Sequence, residues 1–370
     1  MLRNSRRYLF LLLAFLALAF LLYKFRNAIS LEGFRWGLVA ASLRHARLSL
    51  LVLSLLTIYI CYAVRALRWV RFCRGLGEAH FANVYSATLM GFTCVFLLGR
   101  AGEPVRPVLI AQKDSLSMPR MFGIYVVERV FDMGATVLLA IVALLLFEQN
   151  RTVSSENDLV LKAARSAGVI LLGGIVAAVS FLVYFRQHGA RWLAARLEHS
   201  KWRHGWRGRV VLLLQGFSEG LQSIRTWWDL AALSGYTAVH WILVVFVYFW
   251  TAHAFAGSLA ALSLSSVILV LAFTLVGSAA QLPVAGGGSQ AASFLVLTLI
   301  LGVEKEPAAV ASIVLWLIAF AGCSLVGVPL LLREGWSTAE LRRMARDEEK
   351  AEEKHLLADA EHVAASKERP

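Results

Sequence analysis

FANVYSATLMGFTCVFLLGRAGEPVR, residues 81–106, begins as a membrane span and then stops being one. Residues 81–99 are largely apolar, yet Asn83, Ser86, Thr88, Gly91 and Thr93 break the surface they would offer to lipid. Such a mixed segment belongs inside protein, at the interface or in a re-entrant hairpin, because lipid satisfies no polar group. The following Gly99–Arg–Ala–Gly–Glu–Pro–Val–Arg106 reads as the return limb of that hairpin. Gly99 and Gly102 permit close backbone approach, and Pro104 limits helix continuation. Arg100 and Arg106 offer fork-shaped donors, and Glu103 between them can orient one fork. Unpaired backbone donors and two arginines would make a receptor for an anion such as a lipid phosphate. The bland reading is an interfacial turn whose arginines meet bulk phospholipid.

The composition around this stretch agrees with a membrane setting. Of 370 residues, 58% are hydrophobic and only 16% charged, against roughly 25% charged in soluble chains. Residues 333–370 hold 8 of the 37 basic and 10 of the 24 acidic residues, leaving 29 and 14 before them. The chain is therefore an integral membrane protein whose positive charge sits between long apolar stretches. A basic pI of about 10.0 would suit nucleic acid, but here the charge flanks membrane segments, so anionic lipid is the expected contact. Cys61, Cys73, Cys94 and Cys323 have neither ligand nor disulfide spacing and read as buried small hydrophobes.

Apolar spans are expected near 8–25, 48–66, 121–147, 167–185, 228–252, 260–281 and 308–332. Segment 284–301, opening on Pro283 and three glycines, either spans obliquely or folds back, and 209–224 is a half-apolar helix. The expected fold is all-α and polytopic, with about eight transmembrane helices and one or two re-entrant or broken glycine-rich hairpins. Seven basic residues against Glu198 alone make 186–209 the strongest cytoplasmic signal. That orientation puts both termini, 67–80 and 100–120 in the cytoplasm. The basic connector holding Lys24, Arg26, Arg35, Arg44 and Arg47 dissents from it. The body is assigned to 1–332, and 333–370 is read as a charged cytoplasmic tail. Its helix would start at a capping box of Ser337 and Glu340.

Three charged residues interrupt 121–147. Glu128 and Asp132 are four apart and Arg129 lies alongside, so both acids share one helical stripe. Carboxylates cannot snorkel as arginine does, so the stripe must face protein or a wet cavity. Pairing with Arg129 within the helix, or with Arg100 or Arg106 across the fold, would satisfy it. A structural salt-bridge knot and a substrate path both remain open. Arg65 and Arg68 either line the cavity or anchor a helix end, and Gln215 and Glu219 either join a polar seam or pack at the surface. His240 and His253 read as interior or interfacial hydrogen-bonding residues without a metal-ligand pattern.

A second broken motif runs Thr274–Leu–Val–Gly277 and then Gln281–Leu–Pro283–Val–Ala–Gly286–Gly287–Gly288–Ser289–Gln290. Thr88–Leu–Met–Gly91 with Gly99, Gly102 and Glu103 has the same order, which fits two related hairpins or chance among common membrane residues. The triple glycine lacks the Lys–Ser/Thr continuation of a phosphate loop, so neither a nucleotide nor any other cofactor is expected.

Taken together, Arg65 with Arg68–Trp69, Gly99 through Arg106, Glu128–Arg129 with Asp132, Phe217 through Leu221 and Pro283 through Gly288 resemble the flippase-like family that includes the transmembrane region of lysylphosphatidylglycerol synthases. The resemblance covers roughly residues 10–332. It implies movement of a phospholipid or polyprenyl-linked headgroup between leaflets of a bacterial-type inner membrane. Arg100, Glu103, Arg106, Glu128, Arg129, Asp132 and Gln290 are the binding candidates. Relatives often carry Glu where Gln290 stands, and the amide keeps hydrogen bonding but removes charge. Fused relatives add an aminoacyl-lipid synthase, so a separate lipid-modifying enzyme is the implied partner; the tail is expected to be too short for such a domain. The alternatives are a non-transporting scaffold and a transferase using Glu128 and Asp132 as acid and base.

Overall fold

The computed structural model describes residues 35–74, 76–149, 173, 224, 226–278, 281–282 and 286–335. The expected spans at 8–25 and 167–185, Gln215, Glu219, the tail from 336 and the Arg100 side chain lie outside the described residues. The helices are α1 (Trp36–Arg44), α2 (Leu48–Cys73), α3 (Phe81–Leu98), α4 (Val105–Lys113) and α5 (Met118–Gln149). They continue as α6 (Trp227–His253), α7 (Leu264–Gly277), α8 (Gly288–Leu295), α9 (Lys305–Trp316) and α10 (Ser324–Arg333). The strand content of the described residues is a two-residue pair, Gln281–Leu282 against Gly286–Gly287, at the turn between α7 and α8.

Four described helices are long and apolar enough to cross a membrane: α2, α3, α6 and the 29-residue rod Lys305–Arg333 formed by α9 and α10. Three of them cover the expected spans at 48–66, 228–252 and 308–332, while those at 8–25 and 167–185 lie outside the described residues. At 260–281 and 284–301 the described helices are shorter than a span. There α7 has 14 residues, or about 21 Å at the helical rise, short of a hydrocarbon core of roughly 30 Å. Its successor α8 has 8 residues and extends through a π-turn, Val296–Ile300. Segment 81–99, mixed in its surface, is a regular 18-residue helix up to Gly99, whose φ of 67° ends it where the return limb was expected to begin.

Polar side chains survive in these helices by bonding backward. Thr57, Thr88, Thr93, Thr251 and Thr274 each donate to the carbonyl four residues earlier, at 2.7–2.8 Å. The outward stripe of α2 is apolar: Leu48, Val52, Leu56 and Ile60 recur at helical spacing and are exposed. Its inner face packs against α6, which runs antiparallel. Arg71 pairs with Asp229 at 2.6 Å at one end, and the Arg47 amide donates to the Ala254 carbonyl at 2.7 Å at the other.

These two ends define two faces, and each receives a helical hairpin. On the Arg71 face, α3 enters and α4 returns, and the hairpin mouth is tied by Asp114. That carboxylate accepts from Asn83 Nδ2 at 2.7 Å and from the His80 amide at 3.2 Å. On the Ala254 face, α7 enters and α8 returns, after which Glu306 at the start of α9 accepts from the Arg35 amide at 3.1 Å. The two hairpins are inverted relative to each other, and the packing follows suit. The first hairpin lies against α10 through α3, and the second lies against α5 through α7. Four helices of each half, α2 to α5 and α6 to α9/α10, therefore repeat one another upside down.

Glycines set both hairpins. A Cβ on Gly91 would lie 2.5 Å from Arg106 Cβ and 3.1 Å from its Cα. A Cβ on Gly102 would overlap the Cys94 carbonyl, and one on Gly277 would overlap the Gly288 carbonyl. The faint recurrence in sequence thus has a structural counterpart, because Gly91 and Gly277 both stand where an entering helix touches the returning one. Gly102→Ala is expected to lower the detergent-solubilised melting temperature, with an overpacking cost of about 1–3 kcal/mol. Gly134→Ala, with no atom near the added Cβ, should be neutral or raise it. Equal melting temperatures for both variants would overturn this account of the hairpin.

Candidate functional site

Arg65 and Arg68 stand three residues apart on α2, and Glu128 and Asp132 four apart on α5, so each pair forms a stripe on its own helix. The stripes meet. Arg68 Nη2 lies 2.7 Å from Glu128 Oε1 and its Nη1 lies 2.8 Å from Asp132 Oδ1. Arg65 Nη2 lies 2.7 Å from Asp132 Oδ2, and its Nε is 3.7 Å from Glu128. A third guanidinium arrives on α4, where Arg106 grips both oxygens of Glu128. All five groups are buried, Glu128 completely. None could remain charged there alone, since one ionised residue at the centre of a membrane helix costs about 3 kcal/mol even on insertion scales.

α6 completes the polar shell. Thr237 accepts from Arg68 Nη1 at 2.8 Å. His240 lies between the Cys61 carbonyl, 3.3 Å from Nδ1, and Arg65 Nη2, 3.4 Å from Nε2. A carbonyl only accepts and a guanidinium only donates, so Nδ1 carries the hydrogen and the ring is neutral. Arg65 Nε and Arg68 Nε are buried without a hydrogen bond.

Aromatic rings wall the Arg106 guanidinium. Its Cζ lies 4.9 Å from the Trp69 ring centre, 5.4 Å from Phe92 and 5.8 Å from Tyr125. Cation–π contacts of this kind strengthen as water is excluded. Gly91 fixes the depth of Arg106, because only a residue without Cβ lets α4 approach α3 at that level. On the far side of Tyr125, Arg129 stacks at 4.9 Å, and the Tyr125 hydroxyl donates to Glu103.

The structure therefore unites Arg65, Arg68, Arg106, Glu128 and Asp132, with Arg129 and Glu103 one ring away. Glu103 holds Tyr125, where the sequence suggested a grip on an arginine. Arg129 stacks on that ring and forms no ion pair with either acid among the described residues. Gln290 lies on the other hairpin, where it accepts from the Gly287 amide and closes its own turn. Gly287 has a φ of 115°, open to glycine and costly for other residues. Arg100 lies with Gly99 and Gly102 in the 3-10 turn at the hairpin tip. Sequence reasoning quoted Trp69 beside Arg68 without giving it a role, and passed over Phe92, Tyr125 and Thr237. The readable signal for two of them was spacing: Tyr125 precedes Glu128 by one turn, and Thr237 precedes His240 likewise. The four cysteines are all free and buried.

Arg68→Gln leaves two buried carboxylates short of a partner, and such a loss costs about 3–5 kcal/mol. Unfolding in mixed micelles should show it. The double variant with Glu128→Gln should cost less than the sum of the singles, and additive costs would deny the coupling.

Residues 9–327 match the family described as the lysylphosphatidylglycerol synthase TM region. No curated protein and no solved structure matches the chain. The matched stretch includes every charged residue of the buried cluster and both hairpins. The chain belongs to the lysylphosphatidylglycerol synthase transmembrane-region family.

Proposed function

We propose that the protein moves a lipid or lipid-linked headgroup between the leaflets of a bacterial-type inner membrane, and that the buried arginine cluster on α2 and α4 receives an anionic headgroup. The observation that carries this reading is the mismatch of charge inside the body. Arg65, Arg68 and Arg106 face two carboxylates, Glu128 and Asp132, so one positive charge is in excess. Counting outward to Arg129 and Glu103 leaves the same excess. A purely structural knot is best balanced; a site that receives an anion is not.

The opposed hairpins supply the route. Each entering helix is followed at once by a shorter returning one, α3 by α4 and α7 by α8, which supports helix ends placed inside the membrane as in transporters. In this reading the hairpins are re-entrant, the Arg71 face is cytoplasmic, and Gln290 with Gly286, Gly287 and Gly288 contributes the second gate. The headgroup follows the polar seam while its tails stay in lipid. The cluster geometry weighs against the transferase alternative, because both oxygens of Glu128 and of Asp132 are engaged by guanidiniums. A partner enzyme that modifies the lipid remains part of the proposal.

Leaflet-to-leaflet transfer in proteoliposomes tests the route, normalised to folded and oriented protein. Glu128→Gln, Asp132→Asn and Arg129→Gln should each lose at least about tenfold in rate, equivalent to 1.4 kcal/mol of barrier. Parental rates in all three folded variants would favour the scaffold reading.

A further inference from the structure

The Nη edge of Arg106 is already taken. Glu128 accepts from both of its terminal nitrogens, and the rings of Trp69, Phe92 and Tyr125 surround the guanidinium. Any anion that uses the fork of Arg106 must therefore occupy the place where the Glu128 carboxylate sits. That carboxylate offers two oxygens in one plane and a single negative charge. A phosphodiester offers two non-bridging oxygens and the same charge, and guanidinium forks bind both groups in the same bidentate manner.

Resting on the reading above, we propose that Glu128 is an internal placeholder for a phosphodiester monoanion, which displaces it from Arg106 when the headgroup enters. The arrangement prepares for that exchange. Glu128 keeps Arg68 at 2.7 Å after releasing Arg106, so the displaced carboxylate stays paired. The Nε hydrogens of Arg65 and Arg68 are buried and unmet, and they are donors in reserve for a carboxylate or phosphate oxygen that moves toward α2. The single excess positive charge is cancelled by one phosphodiester and overcompensated by a phosphomonoester dianion. The substrate class that fits is a lipid with one phosphodiester charge and no cationic group.

A placeholder lowers apparent affinity by the fraction of time it holds the site. Its removal must then tighten binding, the reverse of what loss of a supporting residue does. Binding of short-chain phosphatidylglycerol to the full chain in neutral detergent measures this, with short-chain phosphatidylcholine and free glycerol phosphate as comparison probes. Glu128→Gln should tighten phosphatidylglycerol binding by about tenfold while transport falls. Glu128→Asp keeps the charge near Arg68 but draws it back from Arg106 by one methylene. It should tighten binding as well, which separates displacement from a general gain in positive charge and covers the case in which Glu128→Gln does not fold. Weaker or unchanged binding in the folded Glu128 variants, with Arg106→Gln abolishing binding, would overturn the placeholder and leave the arginine site standing. Equal binding by Arg106→Gln and the parent would overturn the site itself. Phosphatidylcholine bound as tightly as phosphatidylglycerol defeats the assigned charge class. Glycerol phosphate bound as tightly defeats the lipid in favour of a free phosphate.

Discussion

An ionised carboxylate inside an apolar body needs a cation, and this requirement ties the first half of the protein together. Glu128 and Asp132 leave α5 at a buried level, so α2 must deliver Arg65 and Arg68 to that level and α4 must deliver Arg106. Helix register follows from these contacts rather than from apolar packing, which is non-directional and would tolerate a slide. Around the ion cluster the packing is conventional. Trp69, Phe72, Met90, Ile110, Met121 and Ile124 close over it from these three helices and α3. Desolvating five charges is expensive, and their mutual attraction together with Thr237 and His240 offsets that cost.

The second half repeats the helices without repeating the charge. Where the first hairpin has Arg106 close to its deep end, the second has Ser289, Gln290 and glycines, and its core is built from residues such as Phe255, Leu271, Leu297 and Ala311. An inverted repeat with one charged and one neutral half has unequal ends by construction. In the proposed transport reading, the charged half is the one that holds an anionic headgroup. Symmetry here is a property of the backbone alone.

The membrane setting, the helical class and the cluster's acids were legible because ionised residues in an apolar run admit few explanations. Glu128 and Asp132 could be singled out within Met121–Phe147 on that ground alone, and Arg106 from the broken motif Gly99–Arg106. Of the acids' partners, Arg106 was among those expected across the fold and is found on Glu128, whereas Arg65 and Arg68 were not tied to the acids. Arg65 and Arg68 look in sequence like anchors of a helix end, since arginines near a terminus commonly snorkel, and only the depth of α2 in the bundle shows that they turn inward. Span counting failed at α7 for a related reason. An apolar stretch of span length gives no sign that Gly277 will press against Gly288 and turn the chain early. The contact of Glu103 with Tyr125 was not legible, because that ring comes from another helix.

One contact outside the charged cluster bears on how such a body could move. Gly327 on α10 lies directly on α3, where an added Cβ would overlap Thr93 and stand 2.7 Å from the Leu89 carbonyl. Gly91 and Gly102 make the same kind of backbone contact between α3 and the returning chain. Helices that meet through side-chain ridges and grooves resist axial sliding, because each ridge must climb out of its groove. Glycine surfaces present no ridge. The glycine contacts of the first hairpin therefore oppose an axial shear less than ridged ones would, and its register rests on the Arg106–Glu128 pair.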